Sequence, residues 1–528
     1  MITAYDQIPY PIYAYSVAHP DTLATVATLL GLDPAPVEHC RVLELGCAGG
    51  GHLIPMALGL PDSQFVGIDY AARQIADGQM AAQALDLSNI ELRHMDIMDT
   101  PPDLGPFDYI IAHGIFSWVP KPVQEKILDI CQAQLAPHGV AYVSYNTYPG
   151  WHMLGAARQM MLYHTRHVTD PHMRAAQARA LIEFLAEAVP SDEKAGGLLP
   201  VYSGLLKKEL ERWKETSDAY LLHEELEEIN EPMYFYQFAE RAASHGLQYL
   251  CEAEFGNVFP NRFPPQVTEQ LMKLSHNIIE MEQYMDFLRN ETFRRTCLVH
   301  DQVSFSRSVK LERVRHLHVS SRAEPASTHP DLHSISEERF RLGDSLTLTT
   351  DHPATKAALV YLREVWPAIV PFDALLDAAY AKLGLAPPPQ QRALDAHVMS
   401  ASLLKAFTYS GKLVELHHHV PRFVTQAGER PVASPWARFM ARDSLQVTNL
   451  RHECVELRES DRYLLLHLDG AHDRAALFEG LSKQLAQGTL VIERSGQPIQ
   501  DTSEAQKLLA EEIEQALDGF AHAALLLR

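Results

Sequence analysis

The first 145 residues alternate short apolar runs with segments of helical length. The runs are RVLELG, QFVGID, IELRHMD, FDYIIAHG and VAYVSYN, and each is followed by enough residues for a helix or a loop. Short apolar runs that alternate with helices indicate a parallel sheet covered by helices on both faces. The pattern therefore predicts an α/β fold with a doubly wound, Rossmann-like sheet.

The alternation stops near residue 150 and returns near residue 232. The intervening residues show helical periodicity and no strand pattern, whereas LQYLCEA and FRRTCLVH again read as strands. We therefore predict a discontinuous sheet domain at 1–150 and 232–305, interrupted by a helical middle domain at 151–231. Residues 306–350 are predicted to be a linker or an irregular segment. Residues 351–528 are predicted to form a mainly helical C-terminal domain, whose helices followed by a strand are compatible with a winged-helix-like unit.

Charge and cysteine content narrow the function classes. Among 528 residues, 45 Lys and Arg stand against 67 Asp and Glu, which gives a net charge of −22. Such acidity disfavours nucleic acid as the main partner, because phosphate binding needs a local excess of basic residues. No apolar stretch reaches the roughly 18 residues of a membrane helix, so no membrane insertion is expected. The first residues lack a secretory signal pattern and the six cysteines form no CxxC pair, so the expected location is the cytoplasm.

The glycine loop VLELGCAGGG carries the most specific chemical signal. Glycines between a strand and a helix let a ligand approach the backbone closely. A dinucleotide would place its pyrophosphate at the helix start, and Glu44 at the end of the strand would repel it. A carboxylate there suits a ligand that carries an ammonium and a sulfonium group. The loop therefore predicts binding of S-adenosylmethionine (SAM).

Two further acids end the next two predicted strands. Asp69 ends the second strand, where a carboxylate can accept hydrogen bonds from both ribose hydroxyls of a nucleoside. Asp96 ends the third strand, where its side chain can reach an adenine amino group. The predicted cofactor-binding residues are Glu44, Gly46, Cys47, Ala48, Gly50, Asp69, Tyr70, Asp96, Ile97, His113 and Gly114.

Longer motifs resemble one bacterial family. They are YDQIPYPIYAYSVAHP, LELGCAGGGHLIPMA, FDYIIAHGIFSWVP, YVSYNTYPGWHM, EQYMDF and FRRTCLVH. The chain is similar through residues 1–300, and more faintly beyond, to class I SAM-dependent methyltransferases that carry a methyltransferase regulatory domain. That family includes protein-lysine methyltransferases of outer-membrane proteins. The resemblance implies a class I catalytic domain, a helical middle or regulatory domain, a C-terminal domain and a homodimer.

The acceptor side of the reaction is less specified by the sequence. A lysine amine, whose free pKa is about 10.4, must lose its proton before it attacks a methyl group, and an aromatic, partly dry channel favours that loss. Strands four and five are followed by the catalytic candidates Tyr145, Trp118, Tyr148 and His113. His113 suits either a general base or a cofactor contact, and we favour contact. The chain lacks the Asn-Pro-Pro-Tyr signature of many amino-group methyltransferases, so nitrogen, oxygen and carbon acceptors stay open.

Three other motifs receive weaker interpretations. The early tyrosines Tyr5, Tyr10, Tyr13 and Tyr15 are candidates for a lid over the cofactor or for an anchor of the chain. Residues 417–419 are three histidines, which we predict to lie on a surface strand and to bind no metal, because neighbouring strand residues point to opposite faces. The acidic run HEELEEINE is predicted to be a solvated helix face, or else a docking strip for a basic substrate.

The resulting functional hypothesis is a cytoplasmic SAM-dependent methyltransferase that modifies lysine side chains of a protein, with an outer-membrane protein as one candidate substrate. A small-molecule or natural-product methyltransferase is the alternative within enzymes. A non-catalytic regulatory protein that senses SAM is the alternative outside them. A DNA-binding winged helix is disfavoured by the acidity of the chain.

Overall fold

A seven-stranded sheet forms the centre of the protein, in a computed structural model that describes residues 13–191, 197–214, 216–487, 493–494, 497–498 and 502–528. Its strand order is β3-β2-β1-β4-β5-β7-β6. The strands are β1 (Arg41–Leu45), β2 (Gln64–Asp69), β3 (Ile90–His94), β4 (Phe107–Ala112), β5 (Leu135–Asn146), β6 (Leu247–Glu252) and β7 (Phe293–His300). The first five are parallel, and β7 runs antiparallel to both of its neighbours.

Helices cover both faces of this sheet. Val42 packs into one core cluster together with Leu23, whereas the next residue, Leu43, packs into a second cluster with Ile127. Successive strand residues thus enter opposite cores, which explains why the predicted runs are continuously apolar. The helices around the parallel strands are α1 (Pro20–Leu29), α2 (Leu53–Gly59), α3 (Ala72–Ala84) and α4 (Lys121–Gln134).

Four helices follow β5 where the sequence predicts them. They are α5 (Gly150–Thr165), α6 (Pro171–Ala188), α7 (Leu199–Lys214) and α8 (Asp218–Glu224). They have a core of their own, in which Met161, Ile182 and Trp213 are almost fully buried. The chain then returns to the sheet through α9 (Phe235–Ser244) and β6, and reaches β7 after α10 (Pro265–Leu274) and α11 (Ile278–Arg289).

The prediction of an irregular segment at 306–350 was wrong. This part contains α12 (Leu311–Val314), β8 (His318–Ser320), β9 (Glu324–Pro325), β10 (Glu338–Leu342) and β11 (Leu346–Thr350). β9, β10 and β11 form a small antiparallel sheet that buries Phe340. The ERFRL and LTLTT sequences do alternate as half-buried strands should, but they are short and lie beside a proline- and serine-rich stretch that obscured the pattern.

The following helices share a core with the central sheet. They are α13 (Pro353–Val365), α14 (Phe372–Leu383) and α15 (Pro389–Tyr409), accompanied by β12 (Val370–Pro371) and β13 (Glu415–His417). Leu359, Leu375 and Met399 belong to the same hydrophobic cluster as Val42. Residues 306–417 are therefore packed on the sheet, although the sequence suggested a separate part after about residue 305.

The last hundred residues build a further core of their own. Their elements are α16 (Pro435–Met440), β14 (Gln446–Thr448), β15 (Cys454–Glu456), α17 (Glu459–Leu466), α18 (Arg474–Ala486), β16 (Glu493–Arg494), β17 (Gln497–Pro498) and α19 (Thr502–His522). β14 and β15 form an antiparallel hairpin. Leu465, Leu481 and Leu517 are among the residues that this core buries.

The three adjacent histidines do not form a surface strand. The His417 ring is 15% exposed, and its Nδ1 lies 2.8 Å from Oδ2 of Asp21 at the start of α1. His419 Nδ1 lies 2.6 Å from Oε1 of Glu38. Their partners come from nearly 400 residues earlier in the chain, so the local sequence could not reveal the burial. No group of three or more His, Cys, Asp or Glu residues suited to a metal ion occurs in the described part of the chain.

Candidate active site

A cavity of about 900 Å³ opens at the carboxyl edge of the parallel strands, where ligands bind in open α/β sheets. Ten of the eleven predicted cofactor residues line it, and Gly50 is the exception. The ten come from four separate places in the sequence, namely the ends of β1, β2 and β4 and the loop after β3. The ten residues, which were predicted from their positions near strand ends, therefore surround one cavity.

The glycine loop makes a sharp turn beside this cavity. Gly46 and Gly50 have φ of +74° and +72°, a conformation that side chains disfavour. A Cβ on Gly46 would lie 2.6 Å from Ile115 Cδ1, and one on Gly50 would lie 2.9 Å from Leu92 Cδ1. Gly50 thus permits the turn by packing against Leu92, on a side of the loop that does not line the cavity. Ala48, with φ +48°, is the non-glycine residue of the loop in this conformation.

Glu44 is the most unusual charged group in the cavity. Its side chain is 5% exposed, and its Oε2 has no hydrogen-bond partner among the described residues. Burial, and secondly the charge of Asp69, raise the pKa of Glu44 to about 8. A buried carboxylate with an unused oxygen is costly unless a donor or a cation meets it. The residue therefore fits a ligand that brings a positive charge.

Asp69 is held in place by two backbone N–H groups of the cavity wall. Its Oδ2 accepts a hydrogen bond from the Ala48 N–H and its Oδ1 accepts one from the Ala71 N–H, both at 2.8 Å. Asp96 sits two residues beyond the end of β3, and its side chain accepts from the Met98 N–H at 2.9 Å. Both carboxylates line the cavity in fixed orientations, as binding of a nucleoside requires.

His113 lies on the cavity wall after β4. Its Nδ1 is 2.9 Å from the Tyr142 hydroxyl, and its ring centroid is 4.0 Å from that of Tyr15. Burial, and secondly the charge of Arg295, lower the pKa of His113 to about 3. The imidazole is therefore neutral and a weak base.

Tyr145, a predicted catalytic residue, does not reach the cavity. Its ring is fully buried against Phe238 at a centroid distance of 4.1 Å, and its hydroxyl lies 3.2 Å from Thr296 Oγ1. Because strand residues alternate between faces, Asn146 points into the cavity and Tyr145 points away from it. The prediction for Tyr145 was wrong because the choice between these neighbours depends on the register of β5.

Of the other two aromatic candidates, only Trp118 lines the cavity. It packs edge-to-face against Trp151 with centroids 6.2 Å apart. Tyr148 instead stacks on His152 at 3.9 Å and lies outside the cavity lining. Among the early tyrosines, Tyr13 and Tyr15 line the cavity, whereas Tyr5 and Tyr10 lie outside the described residues.

The acidic run at 223–231 was misassigned as a solvated helix face. α8 ends at Glu224, and Glu225 behind it is fully buried with its carboxylate 3.4 Å from Arg212. Glu224 and Glu227 line the cavity. The buried pair Leu221 and Leu222 just before the run is the local signal that one side of this segment faces the interior. Further wall residues that the sequence did not indicate are His52, Arg212, Tyr220 and Arg295.

No helix in the described part of the chain combines the length and the apolarity that a bilayer crossing requires.

Three family models match separate parts of the chain. Residues 36–184 match a family described as "Methyltransferase domain". Residues 217–300 match "Predicted methyltransferase regulatory domain", and residues 429–525 match "PKMT, C-terminal winged helix domain".

Two proteins of Rickettsia prowazekii are similar in sequence. The uncharacterized protein RP789 is 34% identical over 529 residues, which cover 99% of this chain and 93% of that protein. The uncharacterized protein RP028 is 36% identical over 247 residues, which cover 47% of this chain and 96% of that protein.

Solved structures of PKMT2 from Rickettsia typhi share the fold over almost the whole chain. The complex with AdoHcy matches with a TM-score of 0.85 and 28% identity, covering 98% of this chain and 100% of that one. The structure described without AdoHcy matches with a TM-score of 0.86 and 27% identity, at the same coverage. The predicted Rossmann-like sheet and the winged-helix-like C-terminal unit are thereby confirmed.

Proposed function

The chain belongs to the family of SAM-dependent protein lysine methyltransferases that join a class I catalytic domain to a methyltransferase regulatory domain and a PKMT winged helix domain, and we propose how its cavity divides between cofactor and substrate. Its cofactor is SAM, which when bound supplies an activated methyl group on a sulfonium. The steps below concern the residues of this chain.

The proposed cofactor half of the cavity contains the ten residues predicted from the sequence that line it, and Gly50 lies behind them. One observation carries this assignment, namely the buried Glu44 carboxylate with an unused oxygen, which suits a ligand that carries an ammonium. We assign Asp69, whose carboxylate is held by two backbone N–H groups, to the ribose hydroxyls, and Asp96 to the base. Gly46 and Gly50 permit the tight turn of the loop, because a Cβ at either position would collide with a neighbouring side chain.

The proposed acceptor half faces the helical insertion. Glu224 and Glu227 favour entry of a cationic side chain such as a lysine ammonium. Trp118 and Trp151 form an apolar part of the same cavity wall, and desolvation there favours the neutral amine that attacks the methyl group. We assign His113 to cofactor contact and not to proton removal, because a base with a pKa of about 3 is too weak to deprotonate a lysine.

The C-terminal unit supports a protein partner better than a DNA partner. Residues 429–525 contain 10 Lys and Arg against 16 Asp and Glu, so the unit matched by the winged helix family is itself acidic. Electrostatic attraction to phosphates needs the opposite sign. We propose that this unit helps to select or regulate a protein substrate.

Three finer parts of the proposal concern the setting of the reaction. We propose an outer-membrane protein as a substrate, met in the cytoplasm before export, and a homodimeric enzyme. The family resemblance supports the substrate and the dimer, and the six free cysteines fit a reducing compartment. Light scattering of the purified protein tests the dimer, and fractionation of cells tests the location.

Transfer of labelled methyl groups tests the substrate class. Purified protein is incubated with methyl-labelled SAM and extracts of its own cells, with membrane and soluble fractions kept separate. We expect a labelled protein band that survives mild base, because N-methyl groups are stable where methyl esters hydrolyse, and methyl-lysine after hydrolysis. Label found only in small molecules would favour a small-molecule methyltransferase. Absence of label, despite SAM binding, would favour a SAM-sensing regulatory protein.

A further inference from the structure

The tip of the β14–β15 hairpin reaches the wall of the cofactor cavity. Asn449 accepts hydrogen bonds at its Oδ1 from the Arg451 and Glu453 N–H groups, both at 2.9 Å, which fixes the turn. This turn holds His452 in the left-handed region at φ +62°, a conformation uncommon for a histidine. His452 is 6% exposed.

His452 contacts a residue that belongs to the cavity wall. Its Nε2 lies 2.7 Å from Nδ1 of His52, which follows the glycine loop and lines the cavity. The Tyr15 N–H donates to the same His52 Nδ1 at 3.2 Å. Because a backbone N–H can only donate, Nδ1 of His52 is an acceptor, so His452 must donate through its Nε2–H.

Both histidines are buried, and burial lowers the pKa of each well below its usual range. The contact is therefore a hydrogen bond between two neutral rings. The third histidine of the group, His19, has its ring centroid 4.9 Å from that of His452 and is also held neutral, with a pKa lowered to about 4 mainly by burial. Nothing in this arrangement requires charge on the rings.

Contacts lead from His52 through Tyr15 to His113 on the cavity wall. Tyr15, whose backbone is held by His52, places its ring 4.0 Å from the ring of His113. On the other side, the guanidinium of Arg451 forms an ion pair with Glu415 and lies over the Trp366 ring at 4.6 Å. The contacts of Arg451 thus hold the hairpin tip in place, and His452 of the same tip contacts His52.

We propose that His452 is a positioning residue of the cofactor site, which fixes the orientation of His52 and, through it, the Tyr15 wall, so that the C-terminal winged helix domain controls the affinity for SAM. This inference rests on the assignment of the cavity to the cofactor. It gives the C-terminal domain a role in cofactor binding in addition to any contact with the substrate.

The variant His452→Asn separates this role from folding of the turn. Asparagine tolerates the left-handed conformation, but its side chain is too short to reach His52. We expect the affinity for S-adenosylhomocysteine, measured by calorimetry, to fall about tenfold, the effect of losing one buried hydrogen bond. His452→Gln, which extends an amide N–H toward His52, should recover most of that loss. His472→Asn alters a histidine of the same domain that bonds to Asp469, and it should leave the affinity unchanged.

Hydrogen exchange supplies the reciprocal measurement. If the hairpin supports the site, then S-adenosylhomocysteine should slow amide exchange in residues 446–456 of the wild type and not of His452→Asn. Wild-type affinity in His452→Asn would overturn the proposal, as would slowing of exchange by S-adenosylhomocysteine in this variant to the same extent as in the wild type. A variant that unfolds more easily but binds normally would overturn it too. If the wild type itself binds no S-adenosylhomocysteine, the cofactor assignment fails and this proposal with it.

Discussion

Burial of Glu44 makes its protonation depend on what binds beside it. The pKa of about 8 means that the carboxyl is mainly protonated at pH 7 in the free protein. A ligand cation favours the ionised form, so ligand binding releases a proton, and the affinity rises as the pH increases through about 8.

We predict that Glu44→Gln abolishes this component of the pH dependence. Calorimetric titrations with S-adenosylhomocysteine between pH 6.5 and 9 would compare wild type and variant in two buffers of different ionisation enthalpy. The ligand's own ammonium titrates in both experiments and cancels in the difference. Equal proton release by the two proteins would contradict the role given to Glu44.

Asp69 offers a test of the nucleoside end of the site. Asp69→Ala should weaken SAM binding by about 1–3 kcal/mol, or about five- to 150-fold, because the ribose hydroxyls lose their acceptor. Asp62→Ala, in the exposed turn before β2, is the matched control and should bind as the wild type does. Unchanged affinity in Asp69→Ala, measured by calorimetry, would refute the ribose assignment.

Residue by residue, the sequence predicted the cofactor side of the cavity better than the acceptor side. Glu44 and Asp69 end strands whose carboxyl ends must meet at one edge, so their convergence follows from the fold class alone. Tyr145 was misplaced because two neighbours on a strand face opposite ways and only the register decides between them. Glu227 was taken as solvated because its burial depends on helices that close over it.

The loop between β9 and β10 is held in place by one buried cation of α13. Lys356 is fully buried, and its Nζ donates to the carbonyl oxygens of Asp331, Ser334 and Ser336 at 2.6, 2.8 and 3.0 Å. These carbonyls belong to the proline- and serine-rich stretch that was predicted to be a linker. The lysine holds the stretch against α13, which is why the segment is ordered despite its composition.

Replacement of this lysine should therefore destabilise the protein. We expect Lys356→Met to lower the free energy of unfolding by about 2–4 kcal/mol, because three buried carbonyls lose their donor. The control Lys382→Met removes a more exposed ion pair with Glu364 and should cost less than about 1 kcal/mol. Urea denaturation measures the free energy of unfolding of both variants. Equal effects of the two substitutions would show that the hydrogen bonds of Lys356 do not stabilise the fold.

The predicted strands β1–β5 were all found. Burial on both faces leaves a clear apolar signal in β1, β2, β4 and β5, whereas the edge strand β3 has an alternating sequence. The ends of the strands were predicted less accurately. Asp96 was predicted to end β3, but β3 stops at His94 and Asp96 lies in the following loop. The short strands β8–β13 were mostly missed, because pairings of two to five residues leave too little periodicity to recognise.

At the scale of the whole molecule, ion pairs between distant parts of the chain join the catalytic sheet to the C-terminal half. His417 of β13 pairs with Asp21 of α1. Burial disfavours the charged imidazole, but the charge of Asp21 outweighs it and raises the pKa of His417 to about 9. Burial likewise opposes ionisation of Asp21, yet His417 lowers its pKa to about 2.

The stability that this pair contributes should depend on pH. A raised histidine pKa stabilises the fold fully below about pH 6.5, the unfolded value, and the stabilisation is lost as the pH rises through about 9. The difference in unfolding free energy between wild type and Asp21→Asn should thus be up to about 3 kcal/mol larger at pH 6 than at pH 9.5. A difference that is constant across this range would contradict the pairing.

The position of β7 in the sheet has a consequence for the time course of synthesis. β5 is paired on its outer side only by β7, and 146 residues, from 147 to 292, separate the two strands in the chain. At about 5–20 residues per second, a ribosome needs about 7–30 s to make that stretch. During this interval the long apolar β5 would present an open edge, the kind of surface on which chains associate wrongly. The nascent enzyme therefore depends on a chaperone, or on the early folding of α5–α8, for longer than it would if its sheet were continuous in sequence.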